Sequence, residues 1–225
     1  MSGKKIYIDP GPGAVVWSAM RKINLRNLSG LVISHCHPDH YTDAEVVIES
    51  MTNGARSRRG FLITTAQCMN SADRRAVSEY HCRALDEVII MKGGDIAKAA
   101  GLKITATPGR HREAETIGLV FEAGSEKLGY VSDTEYISGM EKYFEGCGLM
   151  VINILRPRGS GWPGHMNVED AAKMLMSMKA KPLKAVIQHF GNLMLDRGPE
   201  KEAAWLEKET GVKIVAAADG MTVEA

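Results

Sequence analysis

The sequence predicts an α/β fold of four layers, two β-sheets face to face with helices on their outer sides (αββα), and three observations carry that expectation. Short apolar runs of strand length recur along the chain with turn residues between them. Several follow one another directly in the middle, whereas strand and helix patterns alternate towards the C-terminus. The chain has 225 residues with 44% apolar content, enough to bury one sizeable core, so one domain is expected over residues 1–225.

Taken in order, strands are expected at 5–8 (KIYI), 30–34 (GLVIS), 60–65 (GFLITT), 86–91 (DEVIIM) and 102–107 (LKITAT). More follow at 116–122 (TIGLVFE), 127–133 (KLGYVSD), 149–155 (LMVINIL), 183–189 (LKAVIQH) and 212–218 (VKIVAAA). Helical patterning covers 43–51, 168–178 and 200–208. The last two segments end near lysines and are followed by Pro182 and Gly211, as helix stops should be. The run AAKMLMSMKA places its methionines at helical spacing, which core filling explains. The glycine-rich loop at 158–164 (RGSGWPG) is expected to be a mobile segment near a site.

Charge and cysteine content narrow the function classes. Lys and Arg total 28 against 27 Asp and Glu, so no global field gathers a long nucleic acid. Arg56-Ser57-Arg58-Arg59 is a small basic cluster that reads as a solvated loop. Cys36, Cys68, Cys82 and Cys147 lack metal-type pairing and fit reduced thiols in a cytosol. No apolar run has the length of a signal peptide or of a membrane span of about 18 residues, and a cytoplasmic protein without a membrane partner is expected.

Chemistry concentrates at Ser34-His35-Cys36-His37-Pro38-Asp39-His40, directly after the apolar run 30–33. Histidine is neither a good strand former nor a cheap residue to bury, so three of them with an aspartate at a strand end read as metal ligands. Alternate residues of an extended segment point the same way, so His35 and His37 can reach one cation while the following turn carries Asp39 and His40 to a neighbouring one.

This motif, HxHxDH after a strand, resembles the metallo-β-lactamase superfamily, and further matches follow in that family's order. His111, in Thr107-Pro-Gly-Arg-His111, stands where the family places its third histidine; Asp133, in Ser132-Asp133-Thr134, resembles its bridging aspartate; His189 resembles its last histidine. The resemblance implies a four-layer metallo-β-lactamase-like sandwich and a ligand set of His35, His37, Asp39, His40, His111, Asp133 and His189. Asp9, in Ile8-Asp9-Pro10-Gly11-Pro12-Gly13, resembles the acidic residue that supports the ligand histidines from behind. A tight Asp-Pro-Gly turn explains it equally well, and both can hold.

Within the superfamily, Pro-Gly-Arg-His-Arg departs from the Pro-Gly-His-Thr of glyoxalase II. The run through Glu115 to Glu122 and Lys127 to Asp133 is similar to the phosphodiesterase branch, with its phosphoribosyl cyclic phosphodiesterases and tRNA 3′-end processing endonucleases. Gly164-His165-Met166-Asn167 before a helix resembles that branch too, and implies that His165 lies near the leaving group; an N-cap role for Asn167 is the bland explanation. The implied activity is hydrolysis of a small or cyclic phosphodiester through a metal-bridging hydroxide, with His165 and Asp39 as catalytic residues. Two divalent cations are expected, zinc before manganese or iron. Arg110, Arg156 and Arg158 are candidates to hold the substrate phosphate.

A thioester or lactone hydrolase of the glyoxalase II type, and a metal-bound module without turnover, are the rival classes. Family members begin with a further strand ahead of the segment matching 5–13, which this chain lacks. Either the true start lies upstream or a homo-oligomer covers that edge. The long arm with which tRNA-processing members grip tRNA is not evident, so a small substrate is favoured over nucleic acid.

Overall fold

A computed structural model describes residues 3–71 and 75–224. The smaller sheet is parallel, ordered β1 (Ile6–Ile8), β2 (Gly30–Val32), β3 (Phe61–Thr64), β4 (Glu87–Ile90). Its connections carry the helices α1 (Ala14–Met20), α2 (Pro38–Tyr41), α3 (Ala44–Met51), α4 (Ala66–Asn70) and α5 (Glu79–Arg83). The larger sheet begins with four antiparallel strands in sequence, β5 (Ile96–Ala99), β6 (Leu102–Pro108), β7 (Ile117–Ala123) and β8 (Glu126–Val131). It continues in parallel with β9 (Leu149–Asn153), β10 (Lys184–Gln188) and β11 (Lys213–Ala216), joined through α6 (Val168–Ser177), α7 (Asn192–Arg197) and α8 (Pro199–Thr210).

Alternation along the strands builds the four layers. Leu31, Ile33 and Leu62 pack outward under α3 with Val47, Ile48 and Met51. Their neighbours Val32, Phe61 and Ile63 turn the other way and meet Ile104, Ile117, Leu119 and Phe121 of the larger sheet. That sheet's far face, with Val120, Met150 and Ile152, is covered by Val168, Ala171 and Leu175 of α6 and Leu206 of α8. Both sheets are thus apolar on both faces, which accounts for the near-continuous hydrophobic runs in their strands. Helix α6 is fixed at its start by a capping box between Asn167 and Asp170.

The sequence pattern does not show α1, β5 or the short helices α4, α5 and α7. Helix α1 follows Gly-Pro-Gly, has no side-chain cap and buries only Ser18, so it has neither a cap signal nor an apolar stripe. Strand β5 is a short edge strand that starts just after the Gly93-Gly94 turn. Helices α4 and α5 have five residues each and α7 six, too few for a helical period to stand out. Among the described residues no helix is long and apolar enough to cross a membrane.

Candidate metal centre

The expected ligands gather at the C-terminal ends of strands from both sheets, where parallel α/β sheets open their crevices. Asp9 follows β1, His35 and His37 follow β2, His111 follows β6, Asp133 follows β8 and His189 follows β10. Pro38 at the first position of α2 stops the extended segment and starts the turn that carries Asp39 and His40.

Two clusters of donor atoms result. In one, His37 Nδ1 lies 3.1 Å from His35 Nε2 and 2.9 Å from His111 Nε2. In the other, His40 Nε2 and His189 Nε2 are 3.2 Å apart and each is 3.5 Å from Asp39 Oδ2. Asp133 Oδ2 faces both, at 3.4 and 3.3 Å from His40 and His189 and at 4.0 and 3.9 Å from His35 and His111. Ligand atoms around a tetrahedrally held zinc stand about 3.3 Å apart, so these spacings suit a cation.

Counting hydrogens makes the same point. His111 Nδ1–H donates to Gly164 O at 2.6 Å, and His40 Nδ1–H donates to Asp9 Oδ2 at 2.9 Å. Ser34 Oγ gives its own hydrogen to Asp9 Oδ2, so it accepts from His35 Nδ1–H at 3.0 Å. In neutral rings, Nε2 of His35, His40 and His111 are therefore lone pairs pointing inward. His37 can offer a hydrogen to only one of its two neighbours. The cluster holds more lone pairs and carboxylate oxygens than hydrogens, a donor set that fits metal binding.

Residues 4–190 match the β-lactamase superfamily domain. The chain belongs to that superfamily. It is 34% identical over 222 residues to the uncharacterised protein MJ1374 of Methanocaldococcus jannaschii, covering 98% of this chain and 83% of that one. A more distant relative is the exodeoxyribonuclease YycJ of Bacillus anthracis, at 22% identity over 89% of this chain and 78% of that protein. Among solved structures, the metallo-β-lactamase fold protein YhfI of Bacillus subtilis superposes with a TM-score of 0.80 at 15% identity, covering 98% and 86% of the two chains. A diphosphatase of the PhnP family superposes with a TM-score of 0.71 at 18% identity, covering 100% and 81%. The protein is a metallo-β-lactamase-fold hydrolase.

Behind the expected ligands lies a layer of supporting contacts. Asp9, in the left-handed region at φ 50°, accepts from Ser34 N, Ser34 Oγ, His40 Nδ1 and Tyr130 OH at 2.6 to 2.9 Å. Asp133 Oδ1 accepts from Asn153 Nδ2 at 2.7 Å, and Asn153 Oδ1 accepts from Gln188 Nε2 at 2.9 Å. Tyr130, Asn153 and Gln188 sit inside strand patterns, read there as ordinary strand residues, and give no sequence signal of this role. A Cβ on Gly11 would lie 1.9 Å from Asp39 O, so only glycine lets the Asp9 turn press against α2.

The electrostatics follow from this crowding. Burial pulls the His40 pKa down, but hydrogen bonds to Asp133, Asp39 and Asp9 outweigh it and push it up to about 12. A proton on His40 supplies there the positive charge that a cation would bring. Asp39 is held well below the carboxylate range by hydrogen bonds from His189 and His40. Asp133 is also held well below it, since its histidine partners outweigh the effect of burial. Burial drives His35 down to about 3 and His165 to about 4.

His165 stands beside the centre, its Nδ1 3.6 Å from Asp133 Oδ2 and its ring 4.6 Å from that of His111. The glycine-rich loop before it is held rather than loose: Glu135 and Glu169 accept from Gly164 N and Gly159 N, and Gly164 O orients His111. The three arginines are placed differently. Arg110 is exposed, with Nη1 3.8 Å from Glu135 Oε2. Arg156 lies over the Trp162 ring at 4.7 Å. Arg158 is not brought to the centre; it donates through N, Nε and Nη2 to buried Glu202 and lies over Trp205. Arg58 and Arg59 donate to main-chain carbonyls of Leu85, Asp86, Arg26 and Leu28, so that basic cluster ties loops together.

Proposed function

We propose that this hydrolase is a phosphodiesterase that uses two divalent cations, zinc first among them, to cleave a small or cyclic phosphodiester. The observation that carries the reading is the position of His165, a histidine the expected ligand set does not use, whose Nδ1 lies 3.6 Å from Asp133 Oδ2 and near the donor atom of His111. A diphosphatase and an exodeoxyribonuclease among the similar proteins support phosphoester chemistry. A cavity of about 810 Å³, bounded by Asp39, His40 and His189 and continuing past Val151 and Phe190, offers room for the organic part of a small substrate.

His35, His37 and His111 would hold one cation, Asp39, His40 and His189 the other, and Asp133 both. When bound, the cations acidify a water towards neutral pH and neutralise charge growing on the phosphate oxygens. Asp39, 61% exposed and ionised, accepts a hydrogen bond from the attacking water on the open side. Asn153 holds Asp133 so that Oδ2 stays turned to both clusters. His165, neutral in the free protein, donates a hydrogen bond to the departing oxygen, which takes its proton from solvent.

The test measures metal content and hydrolysis of bis-p-nitrophenyl phosphate on one sample, with Asp133→Ala and His165→Ala beside the parent. Turnover with about two metals per chain is expected. Asp133→Ala should abolish it, and His165→Ala should cut it by about 10²-fold or more without metal loss. Two metals with no phosphodiester turnover would overturn the reading and move the search to thioesters and lactones.

A further inference from the structure

We propose that Arg112, Trp162 and Arg156 form an anion subsite beside the metal centre, which holds one phosphate of the substrate other than the one cleaved. This rests on the phosphodiesterase reading and narrows it to substrates carrying a second phosphate.

Two guanidinium groups share one indole: Arg156 lies 4.7 Å and Arg112 5.3 Å from the Trp162 ring centroid. Like charges gathered round one ring repel, and among the described residues neither arginine is ion-paired. Arg156 Nε is buried without a hydrogen-bond partner. The same protein shows what a completed stack looks like. Arg158 over Trp205 at 4.6 Å has its donors taken up by the Glu202 carboxylate. Around Trp162 the two arginines are held in the same way and the anion is to be supplied from outside. A guanidinium stacked on a ring keeps its edge donors in plane, the arrangement that grips a phosphate by two hydrogen bonds.

The subsite is tied to the centre through the backbone. Arg112 directly follows His111, is held in the left-handed region at φ 48°, and donates from Nε to Pro163 O at 3.3 Å. His165 N donates to Trp162 O at 3.1 Å, which fixes the ring one tight turn from His165. Gly164 lies between, and a Cβ there would be 3.0 Å from His111 Nδ1 and 3.1 Å from Arg112 Cγ. Trp162 is 44% exposed, so the stack is open to solvent.

The experiment compares kcat/KM for thymidine 3′-(p-nitrophenyl phosphate) with and without a 5′-phosphate, and titrates thymidine 3′,5′-bisphosphate calorimetrically into the protein as purified. The parent should prefer the 5′-phosphorylated ester by about tenfold or more, the size of one charge-assisted contact (~1.4 kcal/mol). Arg112→Gln and Arg156→Gln should each bring that ratio towards one and raise the bisphosphate Kd about tenfold. Trp162→Phe should keep more of the ratio than Trp162→Leu. Arg83→Gln removes the same charge from α5 and should leave the ratio alone. A parent ratio near one, or a ratio and Kd unmoved in both arginine variants with parental melting temperatures, would overturn the subsite. If neither ester is hydrolysed, the phosphodiesterase reading fails, and the bisphosphate titration decides the subsite by itself.

Discussion

Replacing Asn153 by leucine keeps the branched shape and the number of side-chain heavy atoms and removes the donor behind Asp133. Asp133 is 2% and Asn153 3% exposed, so water cannot take over the hydrogen bond. The 2.7 Å contact is made to an ionised acceptor. Hydrogen bonds of that kind contribute about 1.5–3 kcal/mol, and removal of partners behind metal ligands typically weakens metal binding about 10–100-fold. Released from Asn153, the Asp133 carboxylate can rotate, and its Oδ2 no longer has to face His40, His189, His35 and His111 together. Competition against a chromophoric chelator, with metal analysis after dialysis, should show Asn153→Leu losing affinity within that range while its metal-free form still melts cooperatively. Gln188→Leu acts only through Asn153 and should show a smaller loss in the same direction. A folded Asn153→Leu protein whose metal affinity stays within about threefold of the parent would refute the reasoning, since it lies clearly below the range expected for such partners.

Gly11→Ala drives a Cβ to 1.9 Å from Asp39 O; the strain should cost about 1–3 kcal/mol, lower the melting temperature and reduce metal content together. Glu202→Gln weakens the Arg158 pair and should cost about 2 kcal/mol at pH 7, less than a sealed pair because Arg158 is half-buried. Burial raises the Glu202 pKa, but Arg158 outweighs it and holds the group below its ordinary 4.5. Its stabilisation is therefore complete above that pH and lost as pH falls through the folded value, so denaturation curves of parent and variant should converge on acidification. A chelator should lower the parent's melting temperature and zinc restore it; cation at 100 times its Kd stabilises by about 2.7 kcal/mol, or about 5–10 °C for a chain of this size.

The gathering of the expected ligands was legible because their chemistry is confined to residue types that strands otherwise avoid. Six of the chain's seven histidines stand at the centre, and the expected ligands among them come just after strands whose apolar runs are plain in the sequence. Asp9 apart, the supporting residues were not legible, because Tyr130 and Asn153 occupy strand positions where an aromatic or amide side chain needs no special explanation. Only the pairing of β8 with β9 and β9 with β10 brings Asn153 between Asp133 and Gln188. Arg158 shows the reverse: nearness in sequence to ligand-bearing segments suggested the site, but Glu202, far along in α8, takes up the guanidinium. Arg112 carried no signal of its own; its role depends on a turn that closes Trp162 onto His165.

Backbone strain and unsatisfied charge fall in the same place, and that coincidence bears on why the centre is built as it is. Seven described non-glycine residues have positive φ, and Lys22, Asn53, Ala55 and Ala100 lie in turns or beside glycines, where the chain reverses. Asp9, Arg112 and His189 lie instead at or beside the expected metal ligands. Each such conformation costs on the order of 1–3 kcal/mol and persists only where its surroundings fix it. Asp9 is fixed by four donors from the end of β2, from α2 and from β8, and those same bonds turn the His40 and, through Ser34, the His35 lone pairs inward. The hydrogen bonds that hold the strained turn are therefore the ones that leave the centre short of hydrogens. A cation at the clusters would supply the charge that this shortage of hydrogens leaves missing, so the groups that fix the strained turn also prepare the centre for metal.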